Sequence, residues 1–124
     1  MSLYKNSPVK ELNVNSFILK NLHGNVQLKN QEPTLIIFYA NWCPHCHNPH
    51  LVEMMKTLGK NLPNKTGINV GAYDCANEDN EDLAQQIGIQ GYPTLMFFNK
   101  KGKRNEIHGP RNMENILKEM LKYS

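Results

Sequence analysis

Residues 34–46 are TLIIFYANWCPHC, and this stretch decides the fold. Its first half is an unbroken apolar, β-prone run, which is typical of a strand buried on both faces. Pro44 cannot donate a hydrogen bond to a sheet, so the strand must end before it, whereas proline is favoured in the first turn of a helix. The stretch therefore predicts a buried strand, a tight turn and a helix that begins at two cysteines.

The two cysteines, Cys43 and Cys46, are separated by two residues. One helical turn places their side chains close together. A thiol at a helix N-terminus lies near free N–H groups and the positive end of the helix dipole, both of which favour the thiolate. Thiol–disulfide exchange needs one thiolate to attack and a second thiol to resolve the mixed disulfide. We therefore predict a redox-active pair in which Cys43 attacks and Cys46 resolves.

The composition predicts one globular domain over residues 1–124, with 1–8 as a loose N-terminal extension. Of the 124 residues, 40% are hydrophobic and 20% are charged, as in ordinary globular proteins. The net charge of +3 is modest and spread along the chain, so no nucleic-acid partner is indicated. No apolar run is long enough to span a membrane, so no membrane partner is indicated either. We expect a monomer.

The N-terminus lacks the apolar segment of a signal peptide. We therefore expect a cytoplasmic protein, in a cell or in the host cytoplasm of a virus, and the endoplasmic reticulum only if a leader has been removed. The odd count of three cysteines argues against a full disulfide framework. Cys75 is expected to be a buried core thiol, with a regulatory or dimer-linking thiol as the alternative.

The hydrophobic pattern of the whole chain predicts the element order βαβαβαββα. The expected strands are 9–14, a central strand from residue 34, 68–74, 94–98 and 103–108. The expected helices are a short one carrying Phe17, Ile18 and Leu22 and ended by Gly24, one from Cys43 to Leu58, one over 83–87 capped by Asn80, and one capped by Asn112. Pro49 falls inside the second helix and predicts a kink or a poor first turn there, because it has no N–H. Polar connections are expected at 25–33 and 59–67.

Several segments at characteristic spacing resemble the thioredoxin superfamily, and within it the domains of protein disulfide isomerases. They are Phe38-Tyr39-Ala40 before the WCPHC segment, DLAQQ at 82–86, GYPT at 91–94, and Phe97-Phe98. The resemblance extends from about residue 9 to the C-terminus. It implies an α/β thioredoxin fold, a central mixed sheet flanked by helices. It also implies a thiol–disulfide oxidoreductase that acts on protein substrates, needs no cofactor beyond the Cys43–Cys46 dithiol, and is recycled by a reductase or an oxidase.

The resemblance implies further site residues around the two cysteines. Pro44 and His45 are expected to tune the pair, since a cationic imidazole near Cys43 would stabilise its thiolate. Trp42, Tyr92 and Pro93 are expected to shape the substrate groove, with Pro93 as the cis-proline of the fold and the Tyr92 backbone pairing with substrate. Arg111 is expected either to approach the second cysteine and tune it or to be a solvated residue before the last helix.

Two positions depart from the family pattern. Its buried carboxylate would align with Ile37, and the lysine partner of that carboxylate with Ala72, so both are apolar here. Losing both together is physically coherent, because a buried unpaired charge is expensive. What is lost is the expected proton acceptor for Cys46, so a water molecule or another group would have to serve.

Two other functions stay open at the level of sequence. The chain could be a non-catalytic binding or scaffold module of the same fold, which the missing carboxylate favours. His47 and His50 make the run after Cys43 dense in cysteine and histidine, which could bind zinc or copper. These ligands crowd one helix start, however, and lack a second spaced pair. We therefore predict no metal site and expect both histidines to face solvent.

Overall fold

A computed structural model describes residues 3–19 and 25–123. The central sheet has five strands, in the order β1 (Lys10–Leu12), β5 (Asn69–Asp74), β4 (Thr34–Tyr39), β6 (Thr94–Phe98) and β7 (Arg104–Glu106). β5 runs parallel to β1 and β4, whereas β6 is antiparallel to β4 and β7. The described residues form three α-helices, α1 (Pro49–Thr66), α2 (Glu81–Ile87) and α3 (Met113–Tyr123). The predicted α/β class with a mixed central sheet is confirmed.

The sheet separates two hydrophobic cores, and β4 contributes to both. All six β4 residues are buried. Leu35, Ile37 and Tyr39 belong to the core that holds the buried residues of α1 and α3. Ile36 and Phe38 point to the opposite core, which holds those of α2. This alternation explains why the strand is apolar at nearly every position, because neither face meets solvent.

The helix predicted to carry Phe17 and Ile18 is wrong. Asn13 caps a single 3₁₀ turn at Val14–Ser16, and the chain then enters β2 (Phe17–Leu19). β2 pairs antiparallel with β3 (Val26–Leu28), so the connection predicted at 25–33 also contains a strand. The Phe17 ring packs 5.6 Å from the ring of Tyr73 and 5.8 Å from that of Phe98. Burial of this aromatic side chain under the sheet outweighs the weak helical spacing. Leu22 and Gly24 lie outside the described residues.

Helix α1 continues past Gly59, where the sequence predicted its end. It stops at Gly67, which has a φ of 75° and caps the helix in the left-handed conformation that glycine adopts readily. A Cβ atom on Gly59 would lie 3.1 Å from backbone atoms of both Pro8 and Val9. Gly59 is therefore a packing position: its missing side chain lets the N-terminal segment approach the helix.

The N-terminal segment is packed against the core, in contrast to the loose extension expected for residues 1–8. Tyr4 is 0% exposed and Val9 is 2% exposed. The Ser7 hydroxyl donates to the Tyr4 carbonyl at 2.6 Å and accepts from the Val9 N–H at 3.2 Å, which shapes this segment into a turn. The close approach at Gly59 and the burial of Tyr4 join it to the domain.

The predicted helices near the C-terminal half are confirmed. Gly88 ends α2 with a φ of 96°, and the Asn112 side chain accepts from the Asn115 N–H at 2.8 Å at the start of α3. In α3, Ile116 and Met120 are buried, whereas Leu121 is 78% exposed. Within the described residues, no helix combines the length and apolarity needed to cross a membrane.

Asn80 occupies the position predicted to cap α2, but its side chain makes other bonds. It is 3% exposed, accepts from the Val14 N–H at 3.0 Å and donates to the Asp74 carbonyl at 3.0 Å. It therefore ties the 3₁₀ turn before β2 to the end of β5. These two bonds connect segments that are distant in sequence.

Replacing Asn80 with alanine is expected to lower the free energy of unfolding by about 1–3 kcal/mol, because a partly buried N–H and a partly buried carbonyl lose their partner together. Urea denaturation followed by circular dichroism measures this. The control is Asn64→Ala on the exposed surface of α1, which should change stability by less than about 0.5 kcal/mol. Equal effects of the two substitutions would contradict the role of Asn80.

Candidate active site

The two cysteines lie at the C-terminal end of β4, in a short 3₁₀ turn over Pro44–His47. The Cys43 N–H donates to the Ala40 carbonyl at 2.9 Å, and the Cys46 N–H donates to the Cys43 carbonyl at 3.1 Å. The expectation that a continuous helix begins at Cys43 is therefore wrong. Pro49 starts α1 separately, and the Asn48 side chain caps that helix by accepting from the His50 N–H at 2.9 Å. Pro49 does interrupt the predicted helix, but it does so by opening α1 at a position that suits proline, so the kink or poor first turn predicted there is wrong.

The two thiols differ in burial. Cys43 is 6% exposed and lies next to Trp42, which is 69% exposed. Cys46 is 0% exposed and belongs to the core that contains Ile37 and Ala72. Both thiols are free in the structure. Cys43 is therefore the thiol nearer to an incoming substrate, and Cys46 lies beneath it.

The surroundings shift the two pKa values in opposite directions. Burial raises the pKa of Cys43, but hydrogen bonds from the backbone N–H and the thiol of Cys46, the backbone N–H of His45, and the charge of Arg111 outweigh it and hold that pKa below its usual value. Burial and, to a smaller extent, the neighbouring Cys43 raise the pKa of Cys46 to about 11, although the Ala40 backbone and the charge of Arg111 act in the opposite direction. At neutral pH the thiolate therefore forms on Cys43.

His45 and Pro44 are both exposed. The backbone N–H of His45 hydrogen bonds to the Cys43 sulfur and lowers the pKa of Cys43. Pro44 opens the 3₁₀ turn, where its missing N–H costs nothing. The sequence singled out these two residues for their side chains, whereas the structure places a backbone donor against the sulfur.

The loop before β6 faces the cysteines. The Tyr92–Pro93 peptide bond is cis. The Cys43 thiol donates to the Tyr92 carbonyl, with 3.8 Å between sulfur and oxygen. The Tyr92 ring meets the Trp42 ring edge-on, with centroids 5.9 Å apart and planes at 90°. The residues predicted to shape a substrate groove thus lie together around Cys43.

Arg111 reaches this site from the loop before α3. Its Nη2 donates to the Pro93 carbonyl at 3.1 Å. From there its positive charge lowers the pKa of both Cys43 and Cys46. Of the two readings that the sequence left open, the geometry favours the one in which Arg111 acts on the thiols, although the side chain is exposed and salt will screen its charge.

The interior beneath the thiols is apolar. Ile37 and Ala72 are direct partners on neighbouring strands β4 and β5, and Leu95 on β6 stands opposite Ile37. All three side chains are at most 3% exposed. The two departures from the family pattern therefore form one structural feature, because Ile37 and Ala72 are register partners and both side chains are apolar.

Sequence reasoning missed two residues near the site. Cys75 is 3% exposed, as expected of a core thiol, and its alternative role as a regulatory or dimer-linking thiol stays a prediction. Its thiol also hydrogen bonds to the Tyr92 side chain, and burial raises its pKa to about 12. Tyr4 lies in the same core as Cys46, with its ring edge-on to that of Tyr39. A single aromatic residue in a polar N-terminal segment gives no periodic signal, so no sequence pattern would have placed Tyr4 there.

The histidines that follow the cysteines are exposed. His47 Nε2 lies 2.6 Å from the Asn41 carbonyl oxygen, a hydrogen bond that steadies the turn. Among the residues that the structure describes, no three histidine, cysteine or acidic side chains are grouped so that they could hold a metal ion.

Solved structures with the same architecture include several thioredoxin domains. The crystal structure of full-length ERdj5 matches 95% of this chain and 15% of its own, with a TM-score of 0.70 and 27% identity. The solution structure of the first thioredoxin domain of mouse Protein disulfide-isomerase A4 matches 93% of this chain and 74% of its own, with a TM-score of 0.70. At 24% identity, this second match supports the fold alone.

Curated relatives carry the name protein disulfide isomerase. Protein disulfide-isomerase tigA of Aspergillus niger is 34% identical over 93 residues, 73% of this chain and 25% of that protein. Protein disulfide isomerase-like 1-1 of Arabidopsis thaliana is 30% identical over 120 residues, 93% of this chain and 23% of that protein. The chain thus spans about a quarter of the length of these relatives. The thioredoxin family model matches residues 14–122, and the chain therefore belongs to the thioredoxin family.

Proposed function

We propose that this protein is a thiol–disulfide oxidoreductase that acts on protein thiols and disulfides. The observation that carries the proposal is the ordering of its two thiols. Cys43 has a lowered pKa and lies near the surface, and the buried Cys46 hydrogen bonds to it with a raised pKa. Thiol–disulfide exchange needs this combination, an accessible nucleophile and a protected second thiol within reach of it.

The reaction has two steps. The Cys43 thiolate attacks one sulfur of a substrate disulfide, a new S–S bond forms, and the other substrate sulfur leaves as a thiolate that takes up a proton. Cys46 then loses its proton and attacks Cys43. The bond to substrate breaks, and the substrate leaves with both sulfurs reduced while Cys43 and Cys46 become a disulfide. In the oxidising direction the same steps run in reverse.

Protein substrates suit the surface around Cys43. The exposed Trp42 ring and the Tyr92 ring form an apolar wall beside the sulfur. We expect a substrate segment to pair with the backbone of Tyr92, next to Pro93, as an added strand. The proposed reaction needs no cofactor beyond the dithiol. It does need a partner that returns the pair to its starting oxidation state, either a reductase or an oxidase.

A second candidate function is a binding module that uses the same groove without turnover. The apolar pair Ile37 and Ala72 favours it, because a conventional proton acceptor beneath Cys46 is missing. Reduction of insulin by dithiothreitol in the presence of the protein, and refolding of scrambled ribonuclease, separate the two. A binding module would accelerate neither reaction.

The roles of the two cysteines are tested by serine substitution. Cys43→Ser should abolish insulin reduction, because the attacking sulfur is gone, whereas Cys46→Ser should accumulate mixed disulfides that dithiothreitol releases. Non-reducing gels and mass spectrometry identify the trapped species. The control is Cys75→Ser, which should keep at least about half of the turnover, since Cys75 plays no part in the exchange. Turnover by Cys43→Ser at the wild-type rate would contradict the proposal.

The order of pKa values predicts which thiol is alkylated. In reduced protein at pH 6, iodoacetamide should label Cys43 well before Cys46 or Cys75, because Cys43 alone of the three has a lowered pKa and therefore the largest thiolate fraction at that pH. The Cys43 rate should rise with pH and level off below the pH expected of a free cysteine. Peptide mass spectrometry after timed quenching locates the label. Preferential labelling of Cys46 would reverse the assignment.

The redox potential of the pair is predicted to be less negative than that of thioredoxin, which is about −270 mV. Stabilising the Cys43 thiolate stabilises the reduced protein and makes the disulfide the better oxidant. Replacing Pro44-His45 with Gly-Pro should make the potential more negative, since proline at position 45 has no N–H to offer the sulfur. A glutathione titration of each variant measures the potential.

The matched control for this swap is His45→Gln, which removes the imidazole and keeps the backbone N–H. It should leave the potential close to that of the wild type. If His45→Gln shifts the reduction potential as far as the double replacement does, the imidazole of His45 determines the potential and the backbone N–H does not. If the wild-type potential is at or below that of thioredoxin, the turn does not make the disulfide a stronger oxidant.

A further inference from the structure

The loop between β7 and α3 is held in one shape by the side chain of Asn115. Its amide donates to the His108 carbonyl at 2.7 Å and to the Pro110 carbonyl at 3.0 Å. A Cβ atom on Gly109, between these two residues, would lie 3.0 Å from the same amide nitrogen, so the loop passes close to the asparagine. The backbone that leads into Arg111 is therefore fixed before a substrate binds.

The side chain of Arg111 is anchored at its far end as well. Its Nη2 donates to the Pro93 carbonyl at 3.1 Å. Pro93 follows Tyr92, whose own carbonyl accepts from the Cys43 thiol. Two successive carbonyls of one loop thus hold the guanidinium and the attacking sulfur. This geometry places a positive charge at the edge of the proposed substrate groove.

No carboxylate in the described part of the chain neutralises this guanidinium. Among residues 3–19 and 25–123, the ion pairs are Glu106–His108 and Glu119–Lys122. Glu114, in the first turn of α3, is the carboxylate nearest to Arg111 along the chain, and it belongs to neither pair. The bond to Pro93 uses only one of the N–H donors of the guanidinium, and the side chain is exposed. The remaining donors are therefore available to a bound molecule.

The carboxylates of α2 lie on the other face of the sheet. Glu81 and Asp82 belong to the first turn of that helix. The buried residues of α2 pack in one core, whereas those of α3 pack in the opposite core. Arg111 enters the site from the loop before α3, so its charge and those of the two acidic residues flank the sheet on different sides. The groove is therefore positive on its α3 side.

We propose that Arg111 selects protein substrates that carry a side-chain carboxylate close to the reacting cysteine. The inference rests on the proposed function and gives this residue a specificity-determining role. An aspartate or glutamate of a segment bound along Tyr92 pairs with the solvent-facing N–H groups of the guanidinium. Arginine suits this role because its planar fork can bind both oxygens of a carboxylate.

The sign of the effect follows from the charges at the site. A carboxylate beside the Cys43 thiolate is repelled by it, so without a cation an acidic substrate reacts more slowly than a neutral one. The guanidinium of Arg111 reverses this order by attracting the same carboxylate. Because the guanidinium lies on the α3 side of the groove, the preference is confined to one side of the reacting cysteine in the substrate sequence.

The test measures attack by the full reduced chain on short peptides whose single cysteine carries a 2-pyridyl disulfide. The Cys43 thiolate attacks the peptide sulfur and a new S–S bond forms. Pyridine-2-thiolate leaves with the electron pair of the broken bond and takes up a proton, and the resulting thiopyridone is followed by its absorbance. The peptides are acetylated and amidated, and one residue within two positions of the cysteine is glutamate, glutamine or lysine. Each rate is divided by the rate of the same peptide with 2-mercaptoethanol, which removes intrinsic differences.

On one side of the cysteine, the wild type should react about two- to fivefold faster with glutamate than with glutamine, the size of an exposed ion pair. Lysine at the same position should react most slowly. In 0.5 M sodium chloride the preference should fall below about 1.5-fold, because salt screens exposed charges. Arg111→Gln should lose the preference at low salt. Its rates with all peptides should also fall together, since the Cys43 thiolate loses a stabilising charge, and the ratio separates the two effects.

The matched control is Lys100→Gln, which removes the same charge elsewhere. Lys100 is exposed and follows β6 at the end of that strand opposite to Pro93. This variant should keep the preference for glutamate. If Arg111→Gln fails to fold by circular dichroism, Arg111→Met, which keeps an apolar stem of similar length, decides in its place.

Equal normalised rates for glutamate and glutamine peptides in the wild type overturn the inference, and so does a preference that persists in the folded neutral variant. Equal loss of the preference in Lys100→Gln also overturns it, because the net charge of the protein would then steer the peptides. These outcomes leave the proposed function standing as long as the wild type reduces insulin. A wild type that releases no thiopyridone and reduces no insulin overturns both.

Discussion

The structure depends on the burial of β4 on both faces. One face of β4 packs against α1 and α3, and the other face packs against α2. The end of the strand is therefore held in place from both sides. The cysteine turn starts at that end, so its position relative to β6 and the Tyr92–Pro93 loop is set by the same packing. β4 and β6 are antiparallel neighbours, so the end of β4 and the start of β6 lie at the same edge of the sheet. This arrangement brings the Cys43 sulfur to 3.8 Å from the Tyr92 carbonyl oxygen.

That placement also gives two chemically different thiols from two similar positions. The 3₁₀ turn lies at the edge of the core. Cys43 is therefore slightly exposed, whereas Cys46 is fully buried among apolar side chains. Backbone N–H groups of the turn serve the outer sulfur, whereas desolvation dominates at the inner one. The difference in reactivity therefore comes largely from where the 3₁₀ turn meets the core, while the Cys46 thiol and the charge of Arg111 also stabilise the thiolate of Cys43.

The sequence predicted the parts of the molecule that have a strong local signal. The continuous apolar run of β4, the two-residue spacing of the cysteines and the turn residues around Pro93 each restrict the backbone directly. The hairpin at Phe17 was missed because a run this short fits a helix as well as a strand, and only its packing against Tyr73 decides. The sequence predicted a helix end at Gly59, whereas this glycine makes room for the backbone of Pro8. No local pattern reveals that contact, because Pro8 is distant in sequence. Tyr4 was missed for the same reason.

The apolar pair Ile37 and Ala72 separates two properties that a buried carboxylate would couple. A carboxylate beneath Cys46 would accept its proton, but it would also carry a desolvated charge that destabilises the fold and acts on both thiols. With hydrocarbon in both positions, the equilibrium between dithiol and disulfide is governed by the turn at the surface, through backbone donors to Cys43. The rate of resolution is governed by the interior, through whatever group moves the Cys46 proton. Changes at residues 44–45 should therefore act on the potential and have little effect on the rate at which Cys46 resolves the mixed disulfide.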